Sequence, residues 1–254
     1  MDKRMTIFYF SATGNSLHAA RAIAARHDNS AVIPMKAGAE KDCFESDIVG
    51  FVFPVYVGIL PRTVKDFLSS FPIRQDTYYF CVTTFYTYRG IALGLTDKIL
   101  REKGAALDYG NAVSTVGNCL MEYEVPEKRR APKLLKADRK LAAIADDIAN
   151  RVQRCGFFSF GEKIHAKLFR LVFEGIDKKF RTNDRCTGCG ICTQICQRNN
   201  IVLEEGRPLW KGNCEACHAC VHGCPRNALH VGKSEGRLQY RHPQVELKDL
   251  LKRT

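Results

Sequence analysis

Two cysteine runs, CTGCGICTQIC at 186–196 and CEACHACVHGCP at 214–225, hold eight of the twelve cysteines and dominate what this chain can build. The other four, Cys43, Cys81, Cys119 and Cys155, are scattered along the preceding sequence. That distribution points to a local site and not to a general disulfide framework. Each run reads CxxCxxCxxxC. Zinc sites separate two CxxC pairs by a longer loop, and this comb cannot close around one tetrahedral ion without strain. Zinc held by the same eight thiols remains the alternative to be weighed.

The chemistry of this spacing is the [4Fe-4S] cube: three cysteines on a tight loop reach three irons of one cube, and the fourth crosses to the other cube. Cys186, Cys189 and Cys192 are thus expected to pair with Cys224, and Cys214, Cys217 and Cys220 with Cys196. The repeat would then exist because each half completes the other's site. Over about residues 182–232 the pattern resembles bacterial two-cluster ferredoxins, including the Cys224-Pro225 pair, which implies two [4Fe-4S] clusters. It departs at Gln197, where proline is usual, and a looser backbone around Cys196 is expected. Gly188, Gly190 and Gly223 suit a chain that wraps closely around sulfide. His218 and His222 stand beside ligands and are expected to be solvated.

Upstream, apolar β-rich runs (MTIFYF, AVIPM, DIVGFVFPVY, YYFCVTTFY, AVSTVG) alternate with helical patterns (LHAARAIAAR, PRTVKDFLSSF, IALGLTDKILREKG, LLKADRKLAAIADDIANRVQR). Five strands interleaved with helices predict an α/β fold, a five-stranded doubly wound parallel sheet in the order 2-1-3-4-5. The segment KAGAEKDCFESD between the second and third strands has room for one helical turn at most. The first strand runs into SATGNS, where Ser11, Thr13, Gly14, Asn15 and Ser16 form an anion cradle at a helix N-terminus. An ordinary capped turn is the alternative. Neither GxxxxGK nor GxGxxG is present.

FYFSATGNS is similar to the phosphate loop of flavodoxins, and the alternating architecture over 5–154 matches that family. The resemblance implies a five-stranded flavodoxin-like sheet that binds FMN, its ring between the loops after strands three and four. Those loops, PVYVGILP and TTFYTYRG, supply Pro54, Tyr56 and Gly58, then Thr84, Phe85, Tyr86, Tyr88 and Gly90. Tyr56, Phe85, Tyr86 and Tyr88 are the available stacking groups, or else surface caps on the core. Relatives are often glycine-rich in the second loop, where this chain has Tyr86 and Thr87. Cys81 reads as inert core, Cys43 and Cys155 as unactivated, and Cys119 as a candidate flavin-side contact.

The domains are expected at 1–154, 155–181 (a basic amphipathic connecting helix), 182–233 (the smaller two-cluster ferredoxin domain) and 234–254 (a docking tail with a short helix). Phe160, Ile164, Leu168, Leu171, Phe173 and Ile176 recur at mostly helical spacing, which predicts docking on the protein, with an anionic membrane surface as the alternative. No membrane span is expected, and MDKRMTIFYF is too short for a secretory signal, so a cytoplasmic setting follows. The formal charge is +12, from 39 Lys and Arg against 27 Asp and Glu. Two clusters and a phosphate at roughly −2 each would bring it nearer about +6.

Taken together, the chain resembles EFR1-type flavodoxin–ferredoxin fusion proteins, which implies an electron carrier working with a redox partner of acidic surface and not with nucleic acid. Two alternatives stay open. One is a flavin-dependent reductase of a small organic substrate, with Glu122, Tyr123 and Glu124 as acid–base candidates. The other is a cysteine-rich nucleic-acid binder, against which the dispersed charge argues.

Overall fold

The computed structural model describes residues 3–35, 45–154, 156–157 and 160–251. The KAGAEKDCFESD expectation, Cys43 and Cys155 fall wholly or partly outside them. The chain divides into two compact units. Met1–Ser11, Asn15–Val116 and Glu127–Leu168 make the first; Ala12–Gly14, Gly117–Pro126 and Phe169–Thr254 make the second. Two short stretches of the first 154 residues thus cluster with the cysteine-rich segment.

In the first unit, β1 (Met5–Tyr9), β2 (Ser30–Pro34), β3 (Ile48–Pro54), β4 (Tyr78–Phe85) and β5 (Tyr109–Ser114) form one sheet, ordered β2-β1-β3-β4-β5. Every pairing is parallel. The connecting helices are α1 (Asn15–Ala24), α2 (Arg62–Ser70), α3 (Ala92–Arg101) and α4 (Glu127–Ala149). β3 and β4 are buried along almost their whole length, which is why their sequences are continuous apolar runs and not alternating ones. On one face Ala19, Ala20 and Ile23 of α1 and Leu141, Ile144 and Ile148 of α4 pack over Ile7, Val52, Phe80 and Val113. An aromatic layer fills the other face, where Phe67 and Phe71 meet Phe8 at ring-centroid distances of 5.1 and 5.4 Å.

β5 begins at Tyr109, three residues before the AVSTVG run. The Tyr109 hydroxyl donates to Asp147 Oδ2 at 2.8 Å, and Asp108 Oδ2 accepts from the Tyr79 amide at 2.8 Å. These two anchors extend the strand through Gly110 and Asn111, residues of low β-propensity.

The next helix, α5 (Glu162–Phe173), starts in the first unit and ends in the second. It is followed by a 3-10 turn (Ile176–Lys179) that buries Ile176. The expected docking of its apolar residues is corrected for four of the six: Phe160, Ile164, Leu168 and Leu171 are exposed.

In the second unit, β6 (Phe180–Thr182) pairs antiparallel with β9 (Leu229–Val231), and β7 (Ile201–Glu204) with β8 (Arg207–Trp210). The second hairpin turns on Glu205 and Gly206, both at positive φ, as a two-residue turn that follows the strand twist requires. Two short helices, α6 (Ile191–Ile195) and α7 (Ala219–His222), complete it. The expected C-terminal helix is only a 3-10 turn (Leu247–Asp249), closed by a reciprocal capping box between Glu246 and Asp249.

Candidate functional site: two thiol groups and a phosphate-type loop

The two combs share one backbone. Left-handed φ values occur at Gly188 (67°) and Gly190 (76°) in the first and at Ala216 (60°) and His218 (59°) in the second. The third cysteine of each then sits at the second position of a short helix, Cys192 in α6 and Cys220 in α7. The fourth cysteines match as well. The Asn199 amide donates to the Cys196 carbonyl at 3.1 Å, and the Asn227 amide to the Cys224 carbonyl at 3.1 Å. Gln197 in place of proline thus leaves the same turn hydrogen bond after Cys196 as follows Cys224.

A pocket is lined by Cys186, Cys189, Cys192 and Cys224 together with the apolar walls of Ile191, Leu203, Pro208 and Leu229. Cys196 stands with the other comb. Burial pushes the Cys214 thiol up to about 12, with Asp177, Cys196 and Glu215 adding to it. Cys217 and Cys220 are raised by burial first, and both also feel Cys214 and Cys196. Cys192 is pushed up to about 11, mainly by burial, with Cys189 and Cys186 contributing. Thiols this hard to ionise need a strong positive centre to deprotonate them.

Backbone amides point at three of the sulfurs: Asn200 to Cys196 Sγ at 3.4 Å, Ala216 to Cys214 Sγ at 3.4 Å and Ala228 to Cys224 Sγ at 3.3 Å. Such donors favour charge on a thiolate. Behind the second group, Asp177 Oδ1 accepts from Asn200 Nδ2 at 2.6 Å and Oδ2 from the Cys214 amide at 3.3 Å. Asn200 Oδ1 in turn accepts from the Asn213 amide at 2.6 Å. Sequence reading missed this Asp177–Asn200–Asn213 lattice, whose members are far apart in the chain.

His218 and His222 are buried, not solvated as expected. The Asn118 carbonyl accepts from His222 Nε2 at 2.9 Å and His218 Nδ1 at 3.3 Å. A carbonyl only accepts, so both nitrogens carry hydrogen. The other His222 nitrogen accepts from the Tyr240 amide at 2.9 Å. Burial, with His222 beside it, holds His218 down to about 3, so its ring is neutral.

The SATGNS loop connects β1 to α1, and all four of Ser11, Thr13, Asn15 and Ser16 are buried. Gly14 adopts φ 95°, and a Cβ there would stand 2.9 Å from Val245; only glycine suits both demands. In the first unit Asn15 Nδ2 donates to the Val116 carbonyl at 2.8 Å, and Ser16 Oγ shares a 2.8 Å hydrogen bond with Thr84 Oγ1. In the second, the Thr13 carbonyl accepts from the His242 amide at 2.8 Å. Asn118 Nδ2 donates to Thr13 Oγ1 at 3.4 Å.

The loops after β3 and β4 leave the same edge of the parallel sheet, and they touch. The Ile91 amide donates to the Gly58 carbonyl at 2.7 Å, and the Val55 amide to the Thr84 carbonyl at 2.8 Å. Gly90, at φ 57°, lies so close over Gly58 that a Cβ would fall 2.1 Å from its carbonyl oxygen. Pro54 ends β3 and Phe85 ends β4. Tyr56 stands edge-on to Phe10 at 6.3 Å, and Lys133 Nζ sits 4.8 Å above the Tyr86 ring. Tyr88 is stacked on His165 of α5, with rings 5.9 Å apart at 6°, and its hydroxyl shares a 2.9 Å hydrogen bond with His165 Nε2. The signal for His165 was weak in the sequence, where it reads as one polar residue on an amphipathic helix.

Of the remaining thiols, Cys81 is fully buried in β4 and burial raises it well above the usual thiol range. Burial, with Glu122, pushes Cys119 up to about 11. Glu124 Oε2 accepts from the Leu238 amide at 3.0 Å, a structural use of one expected acid–base candidate. Among the described residues no helix is long and apolar enough to cross a membrane.

Residues 177–229, which contain all eight comb cysteines, match the 4Fe-4S dicluster domain family. No curated protein matches the chain. Among solved structures, a Streptococcus pneumoniae flavodoxin is similar at 19% identity, covering 58% of this chain and 99% of that one, with a TM-score of 0.42. A flavodoxin from the Archaea is similar at 15% identity over 57% and 99%, TM-score 0.41. A Fusobacterium nucleatum flavodoxin bound to flavin mononucleotide is similar at 15% over 59% and 99%, TM-score 0.41. Likeness at that level carries no chemistry to this chain.

Proposed function

We propose that this protein is an electron carrier of the flavodoxin–ferredoxin fusion kind, holding two [4Fe-4S] clusters and one FMN and passing electrons to a partner redox protein. The observation that most supports it is the exchange of fourth cysteines: Cys224 lines the pocket of the first comb, and Cys196 stands among the thiols of the second. In this reading Cys186, Cys189, Cys192 and Cys224 hold one cube, and Cys214, Cys217, Cys220 and Cys196 the other. The donor set fits. Each group offers four sulfurs and at least one backbone amide aimed at a thiolate.

When bound, cubes exchange single electrons and FMN exchanges one or two, so one chain carrying both can match one-electron and two-electron partners. The protein's part is positioning. Leu203, Pro208 and Leu229 shield the first thiol group, and Asp177 with Asn200 fixes the loop that carries Cys214. For the FMN phosphate, the buried hydroxyls of Ser11, Thr13 and Ser16, the Asn15 amide and the Gly14 turn supply the donors. Pro54, Tyr56, Gly58, Thr84, Phe85, Tyr86, Tyr88 and Gly90 frame the ring.

The wider setting is the reducing cytoplasm, where thiols stay available for iron, and the partner presents an acidic face to this basic chain. Protein purified without oxygen should contain roughly eight irons and eight sulfides per chain and release about one FMN on denaturation. Zinc in place of iron overturns the cluster assignment, and absence of flavin overturns the FMN assignment independently.

A further inference from the structure

α5 leaves an apolar ridge uncovered. Ile164, Leu168 and Leu171 follow at i, i+4 and i+7 and so fall on one stripe, and Phe160 stands in the turn just before the helix. Their exposures are 71%, 47%, 67% and, for Phe160, 91%. The other large exposed apolar side chains among the described residues, such as Tyr88, Leu135 and Val152, are spread over other elements. Here alone among them do three fall on one helical stripe, with a fourth at its start.

Chemistry beside the ridge indicates what covers it. Lys163 and Lys167, both exposed, each precede a ridge residue and form a cationic row alongside it. A long lysine stem can lie along apolar surface while its ammonium stays at an anionic boundary. Shape and size decide between partners. The ridge is convex, and four such side chains offer on the order of 500 Å², below the ~800 Å² per partner that a stable protein interface buries. An interfacial helix needs only an apolar stripe with cations at its margin.

We propose that α5 is a membrane-surface anchor, lying in the headgroup region of anionic lipid with Phe160, Ile164, Leu168 and Leu171 inserted and Lys163 and Lys167 at phosphate level. The inference concerns this helix and is independent of which cofactors the protein carries. The test is co-sedimentation of the intact protein, as purified without oxygen, with phosphatidylcholine vesicles and with vesicles containing roughly a third phosphatidylglycerol. Binding to the anionic vesicles, weakened by high salt and slight on phosphatidylcholine alone, is expected.

The double substitution Ile164→Glu, Leu171→Glu should lower that binding by about tenfold or more with an unchanged absorption spectrum. A milder pair, Ile164→Ser with Leu171→Ser, should give an intermediate loss and covers the case in which the glutamates disturb folding. Three results overturn the proposal: no sedimentation with either vesicle, equal binding by wild type and both variants, or a wild-type dimer that the substitutions convert to monomer. The last would make a second copy of the chain the occupant of the ridge.

Discussion

Ala216 and His218 hold left-handed conformations at the places where the first comb has Gly188 and Gly190. A side chain there crowds the backbone by about 1 kcal/mol or more, which glycine avoids. His218 gains its bond to the Asn118 carbonyl in exchange, whereas Ala216 has only a methyl to offer. Ala216→Gly should therefore raise stability by up to about 1 kcal/mol, read as a higher thermal midpoint under anaerobic conditions; a lower midpoint would show that the methyl packs better than the backbone is strained. The crossing cysteines make a second residue-level case. With Cys196 beside the second comb and Cys224 beside the first, Cys196→Ala and Cys224→Ala should damage different clusters, each remote in sequence from the change. Electron paramagnetic resonance of the two reduced variants should show complementary losses. The same signal lost in both would return each fourth cysteine to its own comb.

At the scale of elements, His165 of α5 competes for a surface that the flavin reading needs. It holds the hydroxyl edge of Tyr88 and lies so near Gly58 that a Cβ there would clash with its ring. If FMN stacks on Tyr88, His165 must first withdraw, and His165→Ala should tighten FMN binding several-fold by removing that cost. Flavin fluorescence titration measures it. Weaker binding in the variant would instead make His165 part of the flavin seat. This contact also marks where sequence reasoning stops. The order of the five strands was legible because buried parallel strands write themselves as apolar runs between helical periods. The start of β5 was not, since the anchors at Asp108 and Asp147 are tertiary and Gly110 and Asn111 mask the strand. For α5 the period gave the helix but not its surroundings; an apolar stripe looks the same whether it faces a core or water. The thiol groups were legible because their chemistry fixes spacing, while Asp177, Asn200 and Asn118 were not, being ordinary residues that folding alone brings to the site.

For the molecule as a whole, the linear division at about residue 155 cuts through a compact unit. The segment Gly117–Pro126 clusters with Phe169–Thr254, and its bonds are made there. Arg237 Nη1 donates to the Leu120 carbonyl at 2.5 Å, the Leu238 amide donates to Glu124, and His218 and His222 hold the Asn118 carbonyl. Thr13 has its own bond from the His242 amide in that unit. A chain ended at Gly156 keeps all five strands and α1 to α4, and it should fold as a sheet protein. It loses every one of these partners, at about 0.5–1.5 kcal/mol for each neutral hydrogen bond and more where a buried group is left unpaired. The 117–126 segment, with Leu120 and Val125 no longer buried, should then become the first site of proteolytic cutting. Its loosening should also reach the SATGNS loop through Asn118 and Thr13, so, if that loop holds FMN as proposed, the truncated chain should bind FMN roughly tenfold or more weakly than the intact protein. Limited proteolysis with mass mapping, beside a flavin titration of both chains, tests the two consequences separately. A truncated chain that resists cutting at 117–126 and binds FMN as tightly as the whole would mean that the N-terminal 156 residues are self-sufficient, and that the bonds from the C-terminal segment to Asn118, Leu120 and Thr13 add nothing to the SATGNS loop.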